Sequence, residues 1–303
     1  MSAANPRMAG LATADIERLH AAARAIRDRQ PGLAERLIGE VLAHHPAHAE
    51  ALRLRAIAQL HARRPDLAAA TLEDALHAHP DDALLRCELG NARNATGAQD
   101  AAIAAWRDAV RLDPALAVAW FNLGRVHQLR GETAEAIDAL TQARALAPEV
   151  LPAAILLGDA LVHAGDFDAA QAQYRDALRL HPGCGDAWRG LANIKTRPLA
   201  DADAHALRAQ LARPDLADAD AIAIGHALGK LEEDRGRPAA AHAAFVAANA
   251  RQRRLAPYSL AALKDPKSAV YKRSVFFDYD QYALKEEFKP LVGAHAQFLV
   301  KNP

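Results

Sequence analysis

AVAWFNLGRVHQLRGETAEAIDALTQARALAPEV, the stretch over residues 117–150, decides the fold. Its two halves each repeat apolar residues at helical spacing, and Gly131 separates them. Pro148 closes the stretch. Glycine readily adopts the left-handed conformation that ends a helix, and proline cannot continue one. The stretch therefore predicts two helices joined by a tight turn.

The same pattern recurs along the chain at an interval of 34 residues. The closing prolines are Pro46, Pro80, Pro114, Pro148 and Pro182. A fixed period of this length is typical of arrays in which each helix pair buries its apolar face against the next. We therefore predict an all-α fold, an α-solenoid over residues 15–257 that follows a flexible N-terminus at 1–14.

Signature residues sit at fixed places in each unit. Residues 117–150 carry Trp120, Leu123-Gly124, Ala136 and Leu140, and this pattern resembles the tetratricopeptide repeat. The resemblance implies helical hairpins that stack into a right-handed superhelix, with the first helices lining a concave groove. The clearest units are 49–82, 83–116, 117–150 and 151–184, and the divergent ones are 15–48, 185–218 and 222–255.

Small residues at the eighth and twentieth places of a unit are expected where the two helices cross, because only a small side chain lets them close. The large residue at the twenty-fourth place is expected to fill the gap between neighbouring hairpins. Examples are Trp106, Leu140 and Tyr174.

A groove of this kind favours an extended peptide or a partner helix, so we predict protein–protein interaction without catalysis. Arginine offers a fork of donors, and amides offer both a donor and an acceptor. The predicted groove residues are Arg53, Asn91, Asn94, Arg125, Gln128, Asp159 and His163. The alternative, that they are ordinary solvated polar residues, stays open. Some tetratricopeptide-repeat proteins hold a terminal carboxylate with a Lys/Asn/Arg clamp; that clamp is incomplete here, since no lysine precedes Lys195.

The order of repeats, a broken unit and residues 226–259 is similar to the region before the catalytic domain of bacterial tetratricopeptide-repeat sulfotransferases. That family binds its sulfate donor with a P-x-R-S-G-T-T loop, which is absent from this sequence. The alternative function is therefore the N-terminal part of a sulfotransferase whose catalytic domain is missing.

Residues 258–303 resemble the start of the peptidoglycan-associated lipoprotein domain, which is OmpA-like. Residues 272–280 match its first strand and 285–300 its first helix. A second alternative function is therefore association with peptidoglycan or the outer membrane through this tail. The Asp and Arg that hold peptidoglycan in that family would come later, so peptidoglycan binding is not expected. We expect this tail to be an incomplete fragment, either an accidental junction or a truncated fusion.

Composition excludes several other functions. Among 303 residues, 37 Lys and Arg balance 37 Asp and Glu, which removes the basic footprint of a general nucleic-acid binder. Cys87 and Cys184 show no CxxC spacing, and the histidines at 44–48 and 77–79 have no ligand-spaced carboxylate beside them, so neither a metal nor a cofactor is expected. With neither a secretory signal nor a membrane span in the sequence, we expect a cytoplasmic protein. A periplasmic location would require a missing leader.

Overall fold

The structure is a computed structural model that describes residues 6–196 and 198–255. Over these residues the chain is helical and contains no strand. A short 3-10 helix, Pro6–Met8, comes first. The α-helices are α1 (Thr13–Arg27), α2 (Pro31–His44), α3 (Ala49–His61), α4 (Pro65–Ala78), α5 (Ala83–Ala95), α6 (Gln99–Leu112), α7 (Ala117–Leu129), α8 (Thr133–Leu146), α9 (Leu151–Ala164), α10 (Phe167–Leu180), α11 (Gly185–Asn193), α12 (Asp201–Leu211), α13 (Asp218–Asp234) and α14 (Pro238–Leu255).

Consecutive helices pack in pairs from α1/α2 to α9/α10. Each second helix also packs against the first helix of the next pair, so the apolar core continues from unit to unit. This confirms the predicted all-α solenoid. The chain divides into two compact units, residues 1–248 and 249–303, and the second is described only as far as 255, at the end of α14.

The turn inside each hairpin has the predicted left-handed residue. Gly131 and Gly165 adopt φ of 73° and 81°. In the first two units, 15–48 and 49–82, Arg29 and Arg63 take φ of 56° and 61° instead. The left-handed turn therefore forms even where arginine stands in place of glycine. Because arginine has a Cβ, this conformation costs about 1–2 kcal/mol of free energy.

The eighth and twenty-fourth residues of a unit meet inside its hairpin. A Cβ added to Gly90 would lie 2.4 Å from Trp106 Nε1, and one added to Gly158 would lie 2.6 Å from Tyr174 Cε1. The Tyr174 ring is also approached by Gly190 of the next hairpin, where a Cβ would lie 2.4 Å from Cζ. The two rings are almost fully buried, so they fix the helix crossing by filling it.

After Pro182 the array departs from the regular plan. Helix α11 is only nine residues long, and it packs against α9, α10 and α13. Helix α13 begins at Asp218, before the predicted start at 222, and Asp220 accepts a hydrogen bond from the Gly185 N–H at 2.8 Å. The OmpA-like resemblance at 258–303 lies outside the described residues.

The N-terminal segment differs from the flexible terminus that we predicted at 1–14. From residue 6 onward it is held against the array: Met8 is buried in the first core cluster. Arg7 forms ion pairs with Glu50 at 2.6 Å and with Asp82 at 3.0 Å.

Candidate functional site

The seven predicted groove residues all lie on first helices, α3, α5, α7 and α9. We call the side of these helices that carries them the first-helix face. On α7, for example, Leu123 and Val126 are buried while Arg125 and Gln128 are partly exposed. The helical period that buries one side of each helix therefore leaves a polar side on the surface.

One part of the first-helix face is an internal network. Arg53 donates to both oxygens of Glu50, at 2.7 and 2.9 Å, and to Glu88 of the next unit at 3.1 Å. Asn91 Nδ2 donates to Glu88 Oε2 at 2.9 Å. Arg53 thus ties α3 to α5 through charge-assisted hydrogen bonds.

The network continues from α5 to α7 through the amide of Asn91. Its Oδ1 accepts hydrogen bonds from Asn122 Nδ2 at 2.8 Å and from Trp106 Nε1 at 3.2 Å. Trp106 Nε1 also approaches the Cys87 carbonyl oxygen at 3.1 Å. Both ends of the Asn91 amide are therefore occupied inside the array.

The charged groups of this network stabilise each other. Burial would raise the pKa of the Glu50 carboxyl, but the hydrogen bonds and charges of Arg53 and Arg7 outweigh burial and hold that pKa below its ordinary value. Burial would lower the pKa of Arg53, but the carboxylates of Glu50 and Glu88 raise it. Both partners therefore stay ionised.

Asp159 is also engaged internally. Its Oδ1 accepts a hydrogen bond from the Tyr174 hydroxyl at 2.5 Å. Burial and this neighbouring carboxylate raise the pKa of Tyr174, so the phenol stays protonated and acts as a donor. Trp106 and Tyr174 occupy the same place in their units, and each donates to the groove residue of its own hairpin.

The other four predicted residues have no side-chain partner within the described part of the chain. The side chains of Asn94, Arg125, Gln128 and His163 form no hydrogen bond or ion pair with the part of the chain that the structure describes. The first three are half-buried and His163 is exposed. The structure thus divides the predicted set into a fixed part and a free part.

Two exposed apolar residues on α7 accompany the free part, and the sequence analysis missed them. Val118 is 46% exposed and Leu129 is 69% exposed. Val118 precedes Arg125 by seven residues and Leu129 follows it by four. The helical period therefore places all three on the same side of α7. That spacing is the signal that could have found them.

Other kinds of site receive no support within residues 6–196 and 198–255. No group of three or more His, Cys, Asp or Glu residues could hold a metal ion there. Burial raises the pKa of the Cys87 thiol to about 12 and also raises that of Cys184, so burial favours the protonated thiol at both positions. No helix in the same range is long and apolar enough to cross a bilayer.

Comparison with known families agrees with this geometry. Models of the tetratricopeptide repeat match residues 19–83 and 127–194, and a TPR repeat model matches residues 90–131. These segments are tetratricopeptide repeats. No curated protein matches the chain. The comparisons support neither the sulfotransferase nor the OmpA-like resemblance.

Several solved structures are similar to the tetratricopeptide-repeat array. A thermophilic TPR protein in Thermus thermophilus has 25% identity and a TM-score of 0.49, with 56% of this chain and 92% of that chain covered. YrrB, described as a TPR protein with an unusual peptide-binding site, has 20% identity and a TM-score of 0.48, with 60% of this chain and 92% of that chain covered. MamA from Desulfovibrio magneticus has 20% identity and a TM-score of 0.47, with 56% of this chain and 97% of that chain covered.

Proposed function

We propose that the tetratricopeptide-repeat array binds a peptide or a partner helix on its first-helix face, without catalysis by this chain. The observation that carries the proposal is the set of four polar side chains without internal partners, which spans α5, α7 and α9. Buried polar groups in a folded protein are nearly always hydrogen-bonded, whereas these four side chains lie at the surface. Their donors and acceptors are therefore available to a partner.

The chemistry of the face favours a polypeptide. Arg125 supplies a forked donor for a carboxylate or a carbonyl oxygen, and Asn94 and Gln128 can each donate to and accept from a peptide backbone. Val118 and Leu129 supply apolar contact area beside Arg125. Arg53 and Asn91 act indirectly, because their hydrogen bonds link the first helices of neighbouring hairpins. Asp159 acts indirectly through its bond to Tyr174 inside its own hairpin.

An array of immobilised 12-residue peptides, probed with the intact chain, tests the proposal. Peptides that bind are then titrated against Arg125→Glu and Leu129→Asp. We expect each substitution to weaken binding at least about tenfold, because interface residues at the centre contribute most. The matched control is Arg36→Glu, at an exposed position on α2, a second helix.

Unchanged affinity in both first-helix variants would refute the proposal, as would an equal loss in Arg36→Glu. Circular dichroism of each variant shows whether the array remains folded. Because both substituted side chains are exposed or half-exposed, we expect the melting temperatures to stay close to that of the parent chain.

A further inference from the structure

A second concave site lies away from the first-helix face, between α6 and α8. These are the second helices of consecutive repeats. Two hollows of 510 and 380 Å³ adjoin there and share Arg107, His127 and Glu135. We call their common space the α6/α8 cleft.

The floor of the α6/α8 cleft is apolar. Val110, Trp120, Leu123 and Ala139 line the larger hollow. Trp120 Nε1 donates to the Pro114 carbonyl oxygen at 3.0 Å, so the polar atom of the indole is occupied and the ring remains as contact surface.

The two walls carry opposite charges that do not neutralise each other. Arg107 and Arg111 come from α6, and Glu135 and Asp138 come from α8. Arg107, Glu135 and Asp138 form no ion pair or hydrogen bond within the described chain. Arg111 approaches only Asp108 of its own helix, at 3.5 Å. In the larger hollow, the α6 wall therefore offers cations and the α8 wall offers anions to a common occupant.

The corresponding seams further along the array are closed by side chains. Between α8 and α10, Arg144 reaches Gln173 at 3.4 Å and Asp176 at 3.6 Å. Between α10 and α12, Arg175 binds both carboxylate oxygens of Asp203, at 2.5 and 2.8 Å.

The place of Arg144 in its unit is taken by Val110 in the unit before, 34 positions earlier. Valine is too short to reach across the seam, and it is one of the residues that line the hollow. In the α6/α8 cleft, Arg130 pairs with Asp100 of α6 and with Glu132 at the start of α8, beside the smaller hollow. The larger hollow is thus open at the place that Arg144 fills in the next seam.

We propose that the α6/α8 cleft is a second binding site, for a partner protein segment in which an apolar side chain is flanked by acidic residues on one side and basic residues on the other. The apolar side chain packs on Trp120, Val110 and Leu123. The acidic flank pairs with Arg107 and Arg111, and the basic flank with Glu135 and Asp138. This site is independent of binding on the first-helix face.

Four synthetic helical peptides of 14 residues test this assignment. Each is alanine-based with one central leucine, and the four differ in the residues on the two sides of that leucine. The first carries glutamate on one side and lysine on the other, the second carries glutamate on both sides, the third lysine on both sides, and the fourth glutamine on both sides. Fluorescence titration of the intact chain should rank the mixed glutamate–lysine peptide first. Each exposed ion pair contributes up to about 1 kcal/mol, so we expect about a fivefold advantage over the glutamine peptide.

Charge reversal on one wall should switch the preference. Arg107→Glu with Arg111→Glu makes both walls acidic and should favour the two-lysine peptide. Glu135→Lys with Asp138→Lys should favour the two-glutamate peptide. Val110→Arg should fill the cleft and abolish binding. Arg125→Glu, on the first-helix face, is the control and should leave the ranking unchanged.

Equal binding of all four peptides would overturn the proposal. So would a ranking that Arg125→Glu alters and the α6 variant does not, since the peptides would then bind the first-helix face. If free leucine displaced the peptides at the same concentration as the peptides, the cleft would instead be assigned to a small zwitterion. The wall substitutions are at the surface, so the test stands even where Val110→Arg fails to fold.

Discussion

The Tyr174 hydroxyl donates a hydrogen bond to Asp159 Oδ1 at 2.5 Å, and so joins the interior of a hairpin to the first-helix face. Tyr174 is 1% exposed, whereas Asp159 is half-buried at the surface. The same link exists between Trp106 and Asn91. The side chain that sets the helix crossing therefore also positions the polar residue above it.

Removal of that hydroxyl should destabilise the array. In Tyr174→Phe the Asp159 carboxylate loses a buried donor, and we expect a loss of about 1.5–3 kcal/mol in the free energy of unfolding. Urea denaturation followed by circular dichroism measures it. In an Asp159→Ala background the same substitution should have almost no effect, and an equal loss in both backgrounds would refute the coupling.

A methyl group added at the helix crossing should be costly. In Gly158→Ala the new Cβ would lie 2.6 Å from Tyr174 Cε1, and we expect a loss of about 1–3 kcal/mol from overpacking. Gly39 is the matched control, since it lies within α2 and nothing approaches its Cβ position within 4 Å. Gly39→Ala should stabilise the chain by about 1 kcal/mol through helix propensity. Melting temperatures that rise in both variants, or fall in both, relative to the parent chain would contradict this account.

A glycine at the turn of unit 49–82 should stabilise the array. Arg63 has φ of 61°, a conformation that is strained for a residue with a Cβ. We expect Arg63→Gly to raise the free energy of unfolding by about 1 kcal/mol, measured by urea denaturation. Arg55→Gly, at an exposed position inside α3, should instead lower it by about 1 kcal/mol.

Substitution of Arg53 and substitution of Arg125, both on the first-helix face, should differ in their effect on stability. Arg53→Ala leaves the buried Glu50 carboxylate without one of its donors and breaks the link to Glu88, so we expect a loss of about 1–3 kcal/mol. Arg125→Ala removes no hydrogen bond or ion pair with the described residues and should change stability by less than about 0.5 kcal/mol. Equal destabilisation by the two substitutions would show that Arg125 is also a structural residue.

Acidification should weaken the start of α3. His48 caps this helix, and its Nδ1 accepts a hydrogen bond from the Ala51 N–H at 3.3 Å. Burial, followed by the charge of His45, lowers the pKa of His48. Arg7 and His79 lower it further, while Glu50 opposes them.

The folded chain therefore takes up this proton less readily than the unfolded chain does. The stabilisation is complete above the unfolded pKa of 6.5 and is lost as the pH falls below it. Between pH 7.5 and pH 5.5 the melting temperature should fall less in His48→Asn, because asparagine caps without titrating. His61→Asn is the exposed control and should keep the parent's pH dependence. Burial also lowers the pKa of His226, so some pH dependence should remain in His48→Asn.

The repeat and its turns could be predicted from the sequence because they depend on local preferences. The 34-residue spacing of Pro114 and Pro148 marks where second helices end, and Gly131 and Gly165 have the left-handed φ that their turns require. The irregular end of the array is different. Helix α11 lies against α13, a contact between helices that are not neighbours in the chain, and no local pattern marks it.

The sequence by itself determined the helix pairs, their period and the side of each first helix that faces outward, because side chains at helical spacing alternate between core and surface. Only the tertiary structure decided that Arg53, Asn91 and Asp159 are engaged internally, that Arg125 and Gln128 have no side-chain partner among the described residues, and that Val110 leaves the larger hollow of the α6/α8 cleft open. The physical reason is that hydrogen bonds and packing between helices, within a hairpin and from one hairpin to the next, depend on distances of a few ångströms between residues about 15 to 35 positions apart. A residue's place in the repeat does not specify those distances.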